Sequence, residues 1–199
     1  ATGIPVVLFN RRQDDPRMSS VTTDNRAGGF ALADFLVSLG HKRIAYIAGF
    51  AGASTQRDRE QGFVEGLAAG GQTLFARGEG NFVYGEAQVA ARTMFATSRR
   101  PDAVFVGNDH MAFAVMDVLR FELGLRVPED VSVVGFDDVP PAAWPAYNLT
   151  TYRQAVDLMV AETVAMLIAK IGAERPEPRQ VVLDGGLIIR GSAARRREE

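Results

Sequence analysis

The chain of 199 residues is 47% apolar and 23% charged, an ordinary globular composition near the upper size of a single core. Its net charge of −2 gives no electrostatic footprint for nucleic acid, and the absence of cysteine excludes disulfides and every thiolate metal site. No run approaches the ~18 consecutive apolar residues of a membrane helix, and the start lacks a basic region ahead of a long apolar core, so the expectation is a cytoplasmic product with no membrane partner.

In chain order, Ile4 to Phe9 reads as a short apolar strand, followed by the polar loop Asn10 to Pro16 and then a helix. Asp24 or Asn25 can cap that helix, Leu32, Phe35, Leu36 and Leu39 form its apolar stripe, and Gly40 suits the left-handed residue that ends it. Ile44 to Ala48 is the next strand. After a small-residue loop, Ser54 or Thr55 can cap a helix to about Ala69, in which Phe63, Val64 and Leu67 can face a sheet. Thr73 to Ala76 is a weaker strand, and Phe82 leads into a helix carrying Ala87, Ala90, Ala91, Met94 and Phe95 at helical spacing.

Ala103 to Val106 is a further strand, ended by Asn108 and Asp109, which open a helix to about Leu123 that Gly124 closes. From Met111 to Leu119 this helix is apolar around most of its circumference and needs cover on two sides. Its own sheet supplies one; a partner subunit or a neighbouring element supplies the other, and a subunit interface is the favoured reading. Val131 to Val134 forms an apolar run between Pro128 and Gly135, the pattern of a strand covered on both faces in a parallel sheet. It runs into Asp137 and Asp138. Ligands of such sheets sit outside the carboxyl ends of the strands, which points to Asp137, whereas turn capping is the stronger reading for Asp138.

Pro140, Pro141 and Pro145 then make a rigid segment expected to be the hinge, followed by a strand or crossover at Leu149 to Tyr152 and a helix from about Gln154 to Ile171 ending at Gly172. Glu174 to Arg179 reads as a linker, Val181–Leu183 and Leu187–Ile189 as a hairpin around Asp184-Gly185-Gly186, and Arg195-Arg196-Arg197 as a solvated tail. The alternation of strand and helix defines an α/β fold with a parallel sheet and right-handed crossovers.

Catalysis finds little support. Gly78-Glu79-Gly80 starts like a dinucleotide loop but position 83 is valine, no phosphate-loop Lys and Ser pair occurs, and no Gly-x-Ser-x-Gly elbow is present. The two histidines, His41 and His110, lie apart. The reading is therefore not an enzyme, with no catalytic residue, metal or cofactor.

The chain resembles the effector-binding core of the lactose-repressor family of bacterial transcription regulators. The resemblance is carried by Pro5-Val-Val-Leu-Phe-Asn-Arg11, Asp24-Asn25 with Gly28-Gly29, Leu39-Gly40-His41-Lys-Arg-Ile44 leading to Gly49, and Arg59-Glu-Gln-Gly62-Phe63. It continues through Asn108-Asp109 with Ala112, Gly124-Leu-Arg-Val-Pro-Glu-Asp-Val-Ser-Val-Val-Gly-Phe-Asp137-Asp138, Leu149-Thr-Thr151 and Leu187-Ile-Ile-Arg190-Gly-Ser192. It departs from the family at Ala87, where glycine is common.

The resemblance implies a two-lobed, periplasmic-binding-protein-like fold with parallel sheets, the second lobe complete and the first partial. It places the partial first lobe at 1–43 and 149–172 and the second lobe at 44–147 and 173–199, with the helix-turn-helix DNA-binding domain absent from this chain. It implies a small effector in the interlobe cleft, a sugar or sugar derivative first and a purine or nucleoside second, operator DNA bound through the missing domain, and a homodimer. A periplasmic-type sugar-binding protein without a regulatory role is the alternative.

By the same resemblance Arg59 reaches the effector, the alternative being an ion pair with Asp58 or Glu60. Thr55 contacts ligand or caps its helix. Of Asn108 and Asp109, one faces the cleft and the other caps. Asp137 accepts from sugar hydroxyls or heterocyclic donors, Phe82 packs on the ligand face or fills core, and Asp24 lies near the cleft or caps. Asp137→Ala is expected to abolish effector binding with the fold intact.

Overall fold

A computed structural model describes residues 4–13, 15–173 and 177–196. Two sheets organise the chain. Strands β1 (Val7–Phe9), β2 (Ser19–Thr23) and β8 (Gln180–Leu183) form a small parallel sheet in the order β1-β2-β8. Strands β3 (Ile44–Ala48), β4 (Ala76–Glu79), β5 (Ala103–Val106), β6 (Ser132–Asp137), β7 (Thr150–Arg153) and β9 (Gly186–Ile188) form the second, in the order β4-β3-β5-β6-β7-β9, parallel except for β9.

The helices are α1 (Asn25–Ser38), α2 (Ser54–Ala69), α3 (Tyr84–Phe95), α4 (Asp109–Asp117) and α5 (Val156–Ile171). Phe63, Leu67, Leu32 and Leu36 from α2 and α1 cover one face of the six-stranded sheet together with Tyr46, Phe105 and Phe136. Ala87, Ala91 and Phe95 of α3 and most of α4 cover the other, against Ile47, Val104 and Val133. Strands buried on both faces explain the continuous apolar runs in β3, β5 and β6. Helix α5 packs Met159 and Met166 on Val21 of the small sheet.

Several sequence expectations are corrected. The loop after Phe9 does not lead straight into a helix: Ser19–Thr23 is a fully buried strand, hidden because its polar Ser and Thr side chains carry no apolar alternation. Of the expected strand Thr73 to Ala76 only Ala76 is in β4, which runs from Ala76 to Glu79. Val64 is 42% exposed, on the outer side of α2. Residues 180–188 do not make a hairpin, because β8 joins the small sheet and β9 the large one, so the chain changes sheets there. The proline segment does not itself pass between the sheets; its 3-10 turn, Pro140–Ala143, is tied by Leu149 N–H to the Ala142 carbonyl and buries Ala142 beside the α4 core.

Helix α4 is covered by elements of its own chain, with Met111 to Met116 at most 5% exposed, so its apolar circumference gives no argument for a subunit interface. It widens into a π-turn over Val118–Glu122, where Phe121 points outward, and Gly124 takes the left-handed φ of +65° that closes it. The expected lobe boundaries also divide differently by packing: α1 and β7 belong with the six-stranded sheet and β8 with the small one. Residues 174–176 of the expected linker and 197–199 of the basic tail lie outside the described residues. Among the described residues no helix is long and apolar enough to cross a membrane.

Candidate functional site

The carboxyl ends of β3, β5 and β6 deliver Gly49, Gly107 and Asp137 to one edge, and Asn10–Arg12 follow β1 of the small sheet. Arg59, on the second turn of α2, is the centre of this region and only 3% exposed. Its Nε donates to Asn25 Oδ1 (2.8 Å), Nη1 to the Gly107 carbonyl (2.6 Å) and Nη2 to Asp137 Oδ1 (3.2 Å), while the guanidinium plane sits 3.7 Å from the Phe136 ring centroid. Such a planar fork satisfies several acceptors at once where a lysine could not. The alternative ion pairs do not form, since Asp58 is taken by Arg12 and Glu60 by Arg77.

Asp137 receives a second bond from Gln154 Nε2 on the same oxygen, Oδ1 (2.5 Å). None of the described residues bonds Oδ2, and the side chain keeps 21% exposure, so one carboxylate oxygen remains for a donor from outside. Burial pushes the Asp137 carboxyl up, opposed by the Arg59 charge. Asp137 and Asp138 have φ of 123° and 58°, a backbone rarely adopted by non-glycine residues, which turns the strand sharply at its end. Asp138 faces away to Arg153 (2.7 Å) and Arg190 (2.6 Å), whose contacts outweigh its burial and hold it below the usual carboxylate range; it is a structural anchor.

The remaining expected residues divide. Asn108 caps α4 through its Oδ1 and the Met111 N–H, leaving its amide NH2 without a partner among the described residues. Asp109 does not open into the cleft: it is fully buried, accepting from Thr151 Oγ1 (2.6 Å) and from the Val139 N–H (3.0 Å), and so braces the β6–β7 edge beneath Asp137. Asp24 is the N-cap of α1, accepting from the Ala27 N–H (2.8 Å). Thr55 does not cap, the N-cap position of α2 being Ala53; its hydroxyl accepts from Arg11 Nη1 (3.0 Å). Phe82, in a left-handed turn with Asn81, packs its ring against Gly49, where a Cβ would come within 2.1 Å of the ring. It is half-buried, and Arg11 lies 6.0 Å from its centroid.

Arg11, Asn25 and Gln154 were not singled out as site residues. Arg11 follows the carboxyl end of a parallel strand, the position the Asp137 argument used, and that signal could have found it. Asn25 stands in the sequence only as a capping candidate and within the Asp24-Asn25 piece of the resemblance, and Gln154 gives no signal, because their roles arise only where the chain passes between sheets. Among the described residues no cluster of three or more metal-binding side chains occurs.

Asp109 supports a pH prediction. Burial pushes its carboxyl up to about 7, with the Thr151 hydrogen bond opposing and the Asp137 charge adding. The folded chain therefore binds this proton more tightly than the unfolded one, so its contribution to stability is present below about pH 4 and is lost as pH rises to about 7 and beyond. Asp109→Asn, whose amide can donate to Thr151 and accept from Val139, should flatten that slope and be more stable than the parent at about pH 8. Urea unfolding at about pH 4 and about pH 8 measures it; equal slopes in parent and variant would remove the buried-acid assignment.

A six-stranded sheet, parallel but for β9, with a polar cluster at its carboxyl edge and joined to a second sheet by repeated chain crossings, is the architecture of a periplasmic-type binding protein. Residues 33–193 match the model of the periplasmic binding protein-like domain. The chain is 37% identical over 196 residues to the HTH-type transcriptional regulator CelR of Thermobifida fusca, covering 96% of this chain and 57% of that protein. Among solved structures, a CelR–cellobiose complex superposes with a TM-score of 0.88 at 35% identity, covering 96% of this chain and 59% of the other. A LacI transcriptional regulator from a Rhodococcus species superposes with a TM-score of 0.88 at 30% identity, covering 96% and 70%. The chain belongs to the periplasmic binding protein-like domains of the LacI, or lactose-repressor, family of transcriptional regulators. It spans a little over half the length of the curated relatives it matches, 57% in the case of CelR.

Proposed function

We propose that this chain is the effector-sensing core of a bacterial transcription regulator, taking a sugar or sugar derivative between its two sheets. The observation that carries the reading is the buried constellation of Arg59, Asp137, Asn25 and Gln154, drawn from elements of both sides of the cleft and leaving Asp137 Oδ2 open. Ring hydroxyls donate to that oxygen, the Asn108 amide donates to ring oxygens, and the half-buried Phe82 offers a face for the apolar side of a pyranose. The kinship to a regulator solved with cellobiose supports the same class. Effector binding changes the angle between the two lobes, and attached DNA-binding heads then change their affinity for an operator; this requires different effector affinities for the two arrangements. Two heads on two half-sites make the working unit a cytoplasmic homodimer.

Asp137→Ala is not the clean test the sequence suggests, because it strands the buried Arg59 cation. Asp137→Asn keeps an acceptor for Arg59 and for Gln154 while removing the charge-assisted bond to a hydroxyl. Calorimetric titration with cellobiose and a panel of mono- and disaccharides should give a saturable sugar with the parent and at least about ten-fold weaker binding with Asp137→Asn. A sugar bound equally by both would refute the site, and no sugar bound by the parent would refute the effector class.

A further inference from the structure

A cavity of about 570 Å³ opens at the opposite end of the six-stranded sheet from the effector cluster. Strands β3 and β5 begin here, immediately after Arg43 and Asp102, so at ~3.3 Å per residue the two sites lie about 15 Å apart. Five arginines line the cavity, Arg43, Arg100, Arg126, Arg195 and Arg196, against the carboxylates of Asp102, Glu129 and Asp130. This surplus of positive charge is concentrated on a chain whose net charge is −2.

The arginines are not equivalent. Arg196 reaches the buried Asp102 at 3.0 Å, and Arg126 makes a two-pronged pair with Asp130 at 2.9 and 2.6 Å. Arg43 donates Nε to the Arg100 carbonyl at 2.8 Å. Arg100 and Arg195 line the cavity with no hydrogen bond or close ion pair to their guanidiniums among the described residues, Arg100 acting on Asp130 only through its charge at longer range. The platform behind them is rigid: Asp102 accepts from the Lys42 and Arg43 N–H groups, while the segment bearing Arg195 is strapped down by Ala194 N–H to Ser132 Oγ and by Arg196 N–H to the Leu39 carbonyl.

We propose that this cavity is a second ligand site, taking a small polyanion of the di- or triphosphate class through Arg100 and Arg195. Guanidinium forks match phosphate oxygens two at a time, and a concave basic site concentrates an anion of high charge over one of low charge. The volume lies within the range of small-molecule sites. Apart from the His41 imidazole, which is held against Asp102, the lining has no Phe, Tyr or Trp ring to act as the platform a neutral sugar needs, which separates it from the effector cleft.

The test is calorimetric titration of sodium triphosphate into the 199-residue chain at low salt, with orthophosphate at matched ionic strength. Triphosphate should bind at least about ten-fold tighter than orthophosphate, and the double variant Arg100→Ala, Arg195→Ala should lose about ten-fold or more in affinity. The double variant should keep its melting temperature, since neither side chain holds a carboxylate, and Asp137→Asn should bind triphosphate as the parent does. Absence of heat with triphosphate, or equal binding by the double variant, overturns the site. Loss in Asp137→Asn alone would put the anion in the effector cleft, and tighter binding of a short poly-glutamate peptide than of triphosphate would make the cavity a contact for an acidic protein segment; either result overturns the proposal. Sugar titrations report separately, so failure here leaves the effector reading untouched.

Discussion

Arg59→Ala is expected to destabilise the chain by about 3–5 kcal/mol and to abolish effector binding. The side chain is 3% exposed, and its removal leaves Asn25 Oδ1, the Gly107 carbonyl and the Asp137 carboxylate facing a void that had been filled by a cation stacked on Phe136. Each abandoned acceptor carries a desolvation penalty, and the buried Asp137 charge carries the largest. Arg59→Lys should recover part of the stability and little of the binding, because a single ammonium cannot hold three acceptors in one plane. Urea unfolding followed by circular dichroism, beside sugar titration, separates the two effects. An Arg59→Ala chain as stable as the parent would mean that the cluster is wet and loosely held.

Gly29→Ala should be almost as damaging although it adds only one methyl group. A Cβ at Gly29 would lie 2.1 Å from the Arg59 carbonyl oxygen, and one at Gly62 would lie 1.9 Å from the Arg26 carbonyl, so α1 and α2 approach backbone to backbone at both points. Neither partner is a flexible side chain, so the helices must separate, at a cost of about 1–3 kcal/mol or more. Because the clash at Gly29 falls on the Arg59 backbone, the guanidinium moves with it and effector affinity falls together with the melting temperature. Gly85→Ala is the control: nothing lies within 4 Å of its Cβ, so the substitution should gain about 0.5–1 kcal/mol from helix propensity. Thermal melts of the two variants beside the parent decide it, and a Gly29→Ala protein matching the control would refute the close packing.

The six-stranded sheet was legible because β3, β5 and β6 are short apolar runs bounded by glycine, proline or acids, and helices with glycine ends separate them. What escaped was the smaller sheet. Strand β2 is buried yet built from Ser19, Ser20, Thr22 and Thr23 around Val21, so its burial rests on neighbours distant in the chain and left no apolar period to read. The Asp184-Gly185-Gly186 turn looked like a hairpin for a related reason: local turn chemistry says that the chain bends and nothing about which sheet receives the next strand. At the candidate site, Arg59, Asp137, Thr55 and Phe82 were picked out in the sequence and gather in one region of the structure, whereas Asp24 and Asp109 are occupied by capping and bracing. The resemblance pointed to side chains near the cleft without distinguishing those that line it from those that hold up its wall.

The chain passes between the two sheets at Asp24, at Gln154-Ala155 and at Asp184-Gly185, each time within one or two residues. These three short crossings are the covalent ties between the two sheets, so a turn of one sheet against the other falls on a handful of residues. Asn25 and Gln154, which grip Arg59 and Asp137, sit on two of those crossings, so force on the cluster is applied almost at the pivot. Helix α5 extends from it for 16 residues, about 24 Å at 1.5 Å per residue. For rotation about the crossings, geometry alone makes the far end of α5 sweep further than the guanidinium, in the ratio of their distances from the pivot.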